Sequence, residues 1–121
     1  MLESLNNKVD NMRDNIIATT QELIRIKSVE DEPKKDKPFG EGVNKALEVS
    51  LEIAKNMGFE TKNIDGYAGY AEMGEGDEML GILCHLDVVP EGSNWTYPPY
   101  AAEIHDDKIY GRGSIDDKGP A

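Results

Sequence analysis

Gly81-Ile82-Leu83-Cys84-His85-Leu86-Asp87-Val88-Val89-Pro90 is the stretch on which the reading of this chain turns. The run from Leu80 to Cys84 is apolar and of strand length, with a single glycine. Such a run suits a strand covered on both faces, as in a sheet flanked by helices. It ends abruptly in His85-Leu86-Asp87. In α/β sheets the carboxyl ends of strands are where ligands and active sites gather. A histidine there can present its imidazole to a metal, and a carboxylate two residues on can either ligate or hold the ring from behind. On its own the pair also fits a purely structural role.

Upstream, Leu5, Val9, Met12, Ile16 and Leu23, widened by Ile17 and Ile24, recur at helical spacing from Leu5 to about Ile26. Ser28–Gly40 carries prolines and many charges and reads as a solvated loop. A second helix is expected from near Gly42, presenting Val43, Ala46, Leu47, Ile53, Ala54 and Met57, with Gly58 placed for a left-handed cap. Phe59–Ile64 and Tyr67–Met73 are candidate strands, Gly69 marking a weak point or bulge in the second. Gly74–Asp77 is a turn, and Met79–Cys84 is the expected buried strand, with Cys84 a reduced core residue. Val88–Tyr100 is a loop rich in proline and aromatics. Ala102–His105 and Lys108–Tyr110 form a hairpin about Asp106-Asp107. Two helices followed by closely spaced strands define an α/β layered domain, the helices packed on a mixed sheet.

Downstream lies a second chemical cluster, Gly111-Arg112-Gly113-Ser114-Ile115-Asp116-Asp117-Lys118-Gly119-Pro120. Its glycines allow sharp bending and close approach of the backbone. Adjacent carboxylates repel unless a cation offsets them. Lys118 would do so in an exposed turn; alternatively one aspartate binds metal together with His85. Imidazole with carboxylates suits Zn²⁺ or Mn²⁺, whereas an all-oxygen set would suit Mg²⁺ or Ca²⁺. The spacing is neither a P-loop nor a dinucleotide fingerprint, since Asp116 stands where a third glycine is needed. Arg112 is open to two readings, an anion contact or a part of the glycine turn. His105 reads as a surface residue, and Trp95, Tyr97 and Tyr100 as loop packing.

A net charge of −11 argues against nucleic acid or an anionic membrane as partner. The single cysteine rules out a disulfide framework, and no apolar segment reaches membrane-spanning length. A cytoplasmic address is the expectation. The chain ends just after a Gly/Asp/Lys cluster of the kind that opens a helix, with two helices to cover a buried strand. It therefore reads as the N-terminal, truncated part of a larger catalytic domain occupying residues 1–121.

His85–Pro90 (HLDVVP) and Tyr110–Pro120 (YGRGSIDDKGP), taken together, resemble the paired signature of the dinuclear zinc exopeptidases and deacylases, a family that includes carnosinases, aminoacylases and desuccinylases. Pro38-Phe39-Gly40, Gly58–Lys62, and Trp95 ahead of a Pro-aromatic pair look like its bacterial dipeptidases of the PepV type. The resemblance implies a zinc-exopeptidase-like fold and two Zn²⁺ per complete site, with Mn²⁺ or Co²⁺ as substitutes. It implies His85 as a terminal metal ligand, Asp116 as the carboxylate bridging both metals, and Asp87 as the catalytic-site acid orienting the His85 ring. A metal-activated water would attack the peptide bond of a dipeptide, or in the deacylase alternative the amide of an N-acyl amino acid. The family's glutamate base and remaining ligands have no counterpart in this sequence, so the chain alone is expected to be inactive. A rival from another class is a catalytically dead module that acts by self-association through exposed apolar surface. The family's Asp-Asp peptide is cis; so near a chain end, trans or disorder is expected at Asp116-Asp117.

Overall fold

A computed structural model describes all 121 residues. Helix α1 spans Leu2–Ile24 and α2 spans Glu41–Asn56. The hairpins follow: β1 (Glu60–Ile64) with β2 (Ala68–Glu72), and β3 (Glu103–His105) with β4 (Lys108–Tyr110). The chain is α/β, as expected, but the single mixed sheet is not formed. Each hairpin is its own antiparallel two-stranded sheet.

The second helix ends as its glycine foretells. Gly58 has φ +94°, its N–H bonds Lys55 O, and the Phe59 N–H reaches back to Ala54 O. That pair of bonds is the Schellman pattern, which satisfies the last carbonyls and turns the chain directly into β1. Ala46 and Leu47 of α2 are buried, and Leu47 and Leu51 press on Gly69 of β2. Gly69 is thus a contact point rather than a bulge. It pairs in register with Asn63, and a Cβ there would sit 2.9 Å from Leu47 Cδ1. In the second hairpin Asp106 and Asp107 both have positive φ, 50° and 59°. This is the backbone that matches the right-handed twist of a two-residue turn.

The apolar run Met79–Cys84 departs from expectation. It carries no strand pairing, and Met79, Leu80, Ile82 and Leu83 are 82%, 89%, 86% and 98% exposed. A strand exists only through its ladder partners, and none of the four strands lies alongside this stretch. Cys84 is consequently exposed rather than in the core. For the same reason the stripe on α1 is covered only at its end: Leu23 and Ile24 are buried, while Leu5, Val9, Met12 and Ile16 stay exposed. An open groove of about 1120 Å³ runs between α1, α2 and β2 and reaches His85, Asp87 and Lys118. No helix is long and apolar enough to cross a membrane.

Candidate metal centre

The buried part of the core lies under the site. Ile24, Ser28, Val88, Ala102 and Lys118 are all 5% exposed or less. They join the end of α1 to the two chemical clusters. Gly111 passes so close to Ile24 Cγ2 and Pro99 O that a Cβ could not be accommodated. Gly113, with φ +90°, packs on Val88 and Lys118. The glycines of the second cluster therefore serve the close approach that their spacing suggests.

This packing brings His85 and Asp116, 31 residues apart, to hydrogen-bond distance, with Nε2 to Oδ1 at 2.9 Å. Asp87 lies behind the ring, its carbonyl 3.1 Å and its Oδ1 3.3 Å from Nδ1. Both Asp87 atoms can only accept, so Nδ1 donates. In a neutral imidazole Nε2 then carries the lone pair and faces a carboxylate oxygen. Two acceptors at that distance repel unless a cation, a proton or a metal ion, lies between them. Accordingly the His85 pKa is raised, first by the hydrogen bond to Asp116, against a desolvation cost, with the carbonyl and charge of Asp87 and the charge of Asp116 adding to the rise. Donors bound at about 2.0–2.1 Å in a tetrahedral zinc shell sit about 3.3 Å apart, so the pair needs only a small opening to take a metal. A borderline nitrogen with a hard oxygen is a donor set that suits Zn²⁺ or Mn²⁺. The side chains of His85 and Asp116 are 49% and 87% exposed, so the pair faces outward, and no cluster of three or more His, Cys, Asp or Glu side chains able to hold a metal is formed.

Several residues depart from their sequence reading. Asp117, unassigned beforehand, accepts the His85 backbone N–H through Oδ2 at 3.1 Å. Lys118 is not the counter-charge of an exposed turn. It is 1% exposed and donates from Nζ to Ile26 O at 2.6 Å, and burial pushes its pKa down to about 8. Ser28, read as part of a solvated loop, is fully buried and donates to Leu86 O at 2.6 Å. The Asp116-Asp117 peptide is cis, against the expectation of trans or disorder. Contacts within the chain hold the turn: Asp117 Oδ2 with His85 N, Lys118 with Ile26, Gly119 N with Gly113 O, and Ala121 N with Asp117 O.

Beside the site, Glu91 organises the Val88–Tyr100 loop. Its carboxylate takes Lys27 Nζ at 2.8 Å and Tyr100 OH at 2.9 Å, while its carbonyl takes Trp95 Nε1 at 2.7 Å. The Lys27 bond first, then the residue's own backbone N–H and the Tyr100 hydroxyl, hold the Glu91 pKa down at about 2, and burial with Glu91 pushes Tyr100 up to about 12. The aromatics are loop packing, as expected. Arg112 stacks over Trp95 at 5.3 Å and donates to Glu91 O, which favours its place in the turn. His105 is half-buried rather than a simple surface residue: its ring stacks on Tyr97 at 3.8 Å and Nε2 meets Glu103 Oε2 at 2.7 Å.

The structure thus layers a two-stranded hairpin on a helix and brings a histidine and an aspartate together near the end of α1. Residues 81–121 match the family described as peptidase family M20/M25/M40. A Bacillus subtilis (strain 168) protein provisionally named as the dipeptidase YtjP is 54% identical over 110 residues, 89% of this chain and 24% of its own length. A Staphylococcus aureus (strain USA300) protein, also provisionally named a dipeptidase, is 45% identical over 115 residues, 93% of this chain and 24% of its own. The crystal structure of human carnosine dipeptidase 1 superposes with a TM-score of 0.75 at 26% identity, covering 99% of this chain and 28% of that one. The chain thus spans about a quarter of the length of the curated relatives it matches.

Proposed function

We propose that this chain contributes the His85/Asp116 side of a dinuclear metal centre in a dipeptidase. The observation that carries the reading is the Nε2–Oδ1 approach of 2.9 Å, in an imidazole whose other nitrogen is committed to Asp87. Such an arrangement calls for a cation between the two groups. Zn²⁺ suits the donor set, with Mn²⁺ or Co²⁺ as substitutes. The dipeptidase names of the bacterial relatives, and of the human structure, support dipeptides as substrates. The acid-rich composition and lone cysteine support a cytosolic setting.

In this reading His85 Nε2 and the Asp116 carboxylate hold metal. When bound, the metal lowers the pKa of water and polarises the peptide carbonyl. Asp87 fixes the ring by accepting from Nδ1, which keeps the lone pair of Nε2 directed at the site. Asp117 holds the His85 backbone from the other side. A proton on His85 Nε2 competes with metal for the same lone pair, so metal uptake weakens as pH falls. General-base catalysis contributes about 10²–10⁴-fold, and no residue of this chain is assigned that role. The chain alone is therefore expected to turn over no dipeptide.

Titration of the metal-stripped chain with Co²⁺, followed by its visible absorption, tests the reading. Wild type should bind with release of about one proton, and both His85→Ala and Asp116→Asn should bind at least about tenfold more weakly. Equal binding by wild type and both variants would refute the assignment.

A further inference from the structure

We propose that the turn leaving α1, Ile26–Ser28, sets the distance between the two metal-binding segments, with Ser28 and Lys118 as its positioning residues. The inference rests on the metal reading of His85 and Asp116. Those two side chains are 49% and 87% exposed, so little packing holds them where they are. Their placement must come from the backbone segments that carry them, and both segments are moored to the same three residues.

On one side, Ser28 Oγ donates to Leu86 O at 2.6 Å and the Val88 N–H bonds Ser28 O at 3.0 Å. These bonds flank Asp87 and hold the backbone one residue beyond His85. On the other side, Lys118 Nζ donates to Ile26 O at 2.6 Å, two residues beyond Asp116. The moorings are sequestered, Ser28 at 0% and Lys118 at 1% exposure. No carboxylate faces the Lys118 amine. Chain reversal alone does not require an amine in that place, since an apolar side chain fills a buried slot without desolvating an ammonium. What the amine adds is a directed bond to a carbonyl 92 residues away in sequence. The turn itself is braced from outside: Gly42, at the start of α2, lies against Lys27 O with no room for a Cβ. One rigid turn therefore acts as a common ruler for both ligands.

The test uses the 121-residue chain with Lys118→Met, Ser28→Ala, the double variant, and Leu47→Ala as a control that loosens the α2 packing away from the turn. In the metal-free protein, a nuclear Overhauser contact between His85 Hε1 and the Asp116 Hβ protons reports the separation directly. Wild type and Leu47→Ala should show it, whereas Lys118→Met and Ser28→Ala should lose it. With Co²⁺ alone as probe, each of these variants should bind about 10–100-fold more weakly. The double variant should be little worse than either single one, because freeing one ligand already breaks the chelate. A contact that persists in both single variants overturns the inference, as does an equal loss in Leu47→Ala. If the contact responds as expected but Co²⁺ binding is absent in wild type, the metal reading fails and the positioning role stands.

Discussion

Lys118 offers a sharp test of the energetics beneath the site. Its amine is buried against a single carbonyl, and its pKa falls from 10.5 to about 8, by desolvation. The folded value lies below the unfolded one. Between pH 8 and 10.5 the unfolded chain therefore holds a proton that the folded chain has released. Stability must rise with pH across that window, because the cost of burying the ammonium is complete below pH 8 and vanishes as the amine becomes neutral. Each pKa unit corresponds to about 1.4 kcal/mol, so the shift amounts to about 3 kcal/mol at most, and about 1–3 kcal/mol once partial solvent relaxation is allowed for. Lys118→Met keeps an unbranched side chain, one atom shorter, and removes the charge. Urea unfolding in the presence of a chelator, at pH 7 and pH 10, gives the free energies for both proteins. Every other ionisable group is common to both proteins and cancels in the difference, as does the lost bond to Ile26 O. Wild type should gain about 1–3 kcal/mol on the variant between the two pH values. Parallel pH dependence in the two proteins would show that the amine is not desolvated, and the reasoning would fail.

Gly111→Ala should destabilise the chain by about 1–3 kcal/mol in the same assay, since its Cβ would overlap Ile24 and the Pro99 carbonyl. Glu91 should hold the Trp95 loop down to unusually low pH. Its pKa is lowered to about 2, so its contribution is present above the ordinary carboxylate range and is lost only as pH falls through about 2. Trp95 fluorescence should change with that midpoint in wild type and lose it in Glu91→Gln. The exposed Leu80, Ile82 and Leu83 should bind hydrophobic dye and promote concentration-dependent association; Ile82→Lys with Leu83→Lys should abolish both in sedimentation.

What was legible in the sequence was local. The Gly58 cap, the Asp106-Asp107 turn and the close-approach glycines each follow from backbone rules acting over a few residues, and the structure has all of them. The coming together of His85 and Asp116 was legible only as a pair of motifs, because neither carries the signal alone. The single mixed sheet and the burial of Met79–Cys84 were misjudged for a common reason. Apolar patterning states what a segment would bury, not whether a partner stands opposite it. Leu83 at 98% exposure has the composition of a core residue without a core around it.

The roles of Ser28 and Lys118 are not legible in the sequence, for a different cause. Polar residues in a loop full of charges, or in an acidic turn, are ordinarily solvated, and composition holds no trace of a contact 58 or 92 residues away. A buried polar side chain persists when it satisfies a backbone group that water cannot reach. The carbonyls of Ile26 and Leu86 lie where the end of α1, the His85 segment and the Asp116 segment converge. Ser28 and Lys118 supply the donors that this convergence requires. Their presence accompanies the coming together of His85 and Asp116 from opposite ends of a thirty-one-residue excursion. His85 and Asp116 lie at the surface, and the precision of their placement comes from the layer beneath.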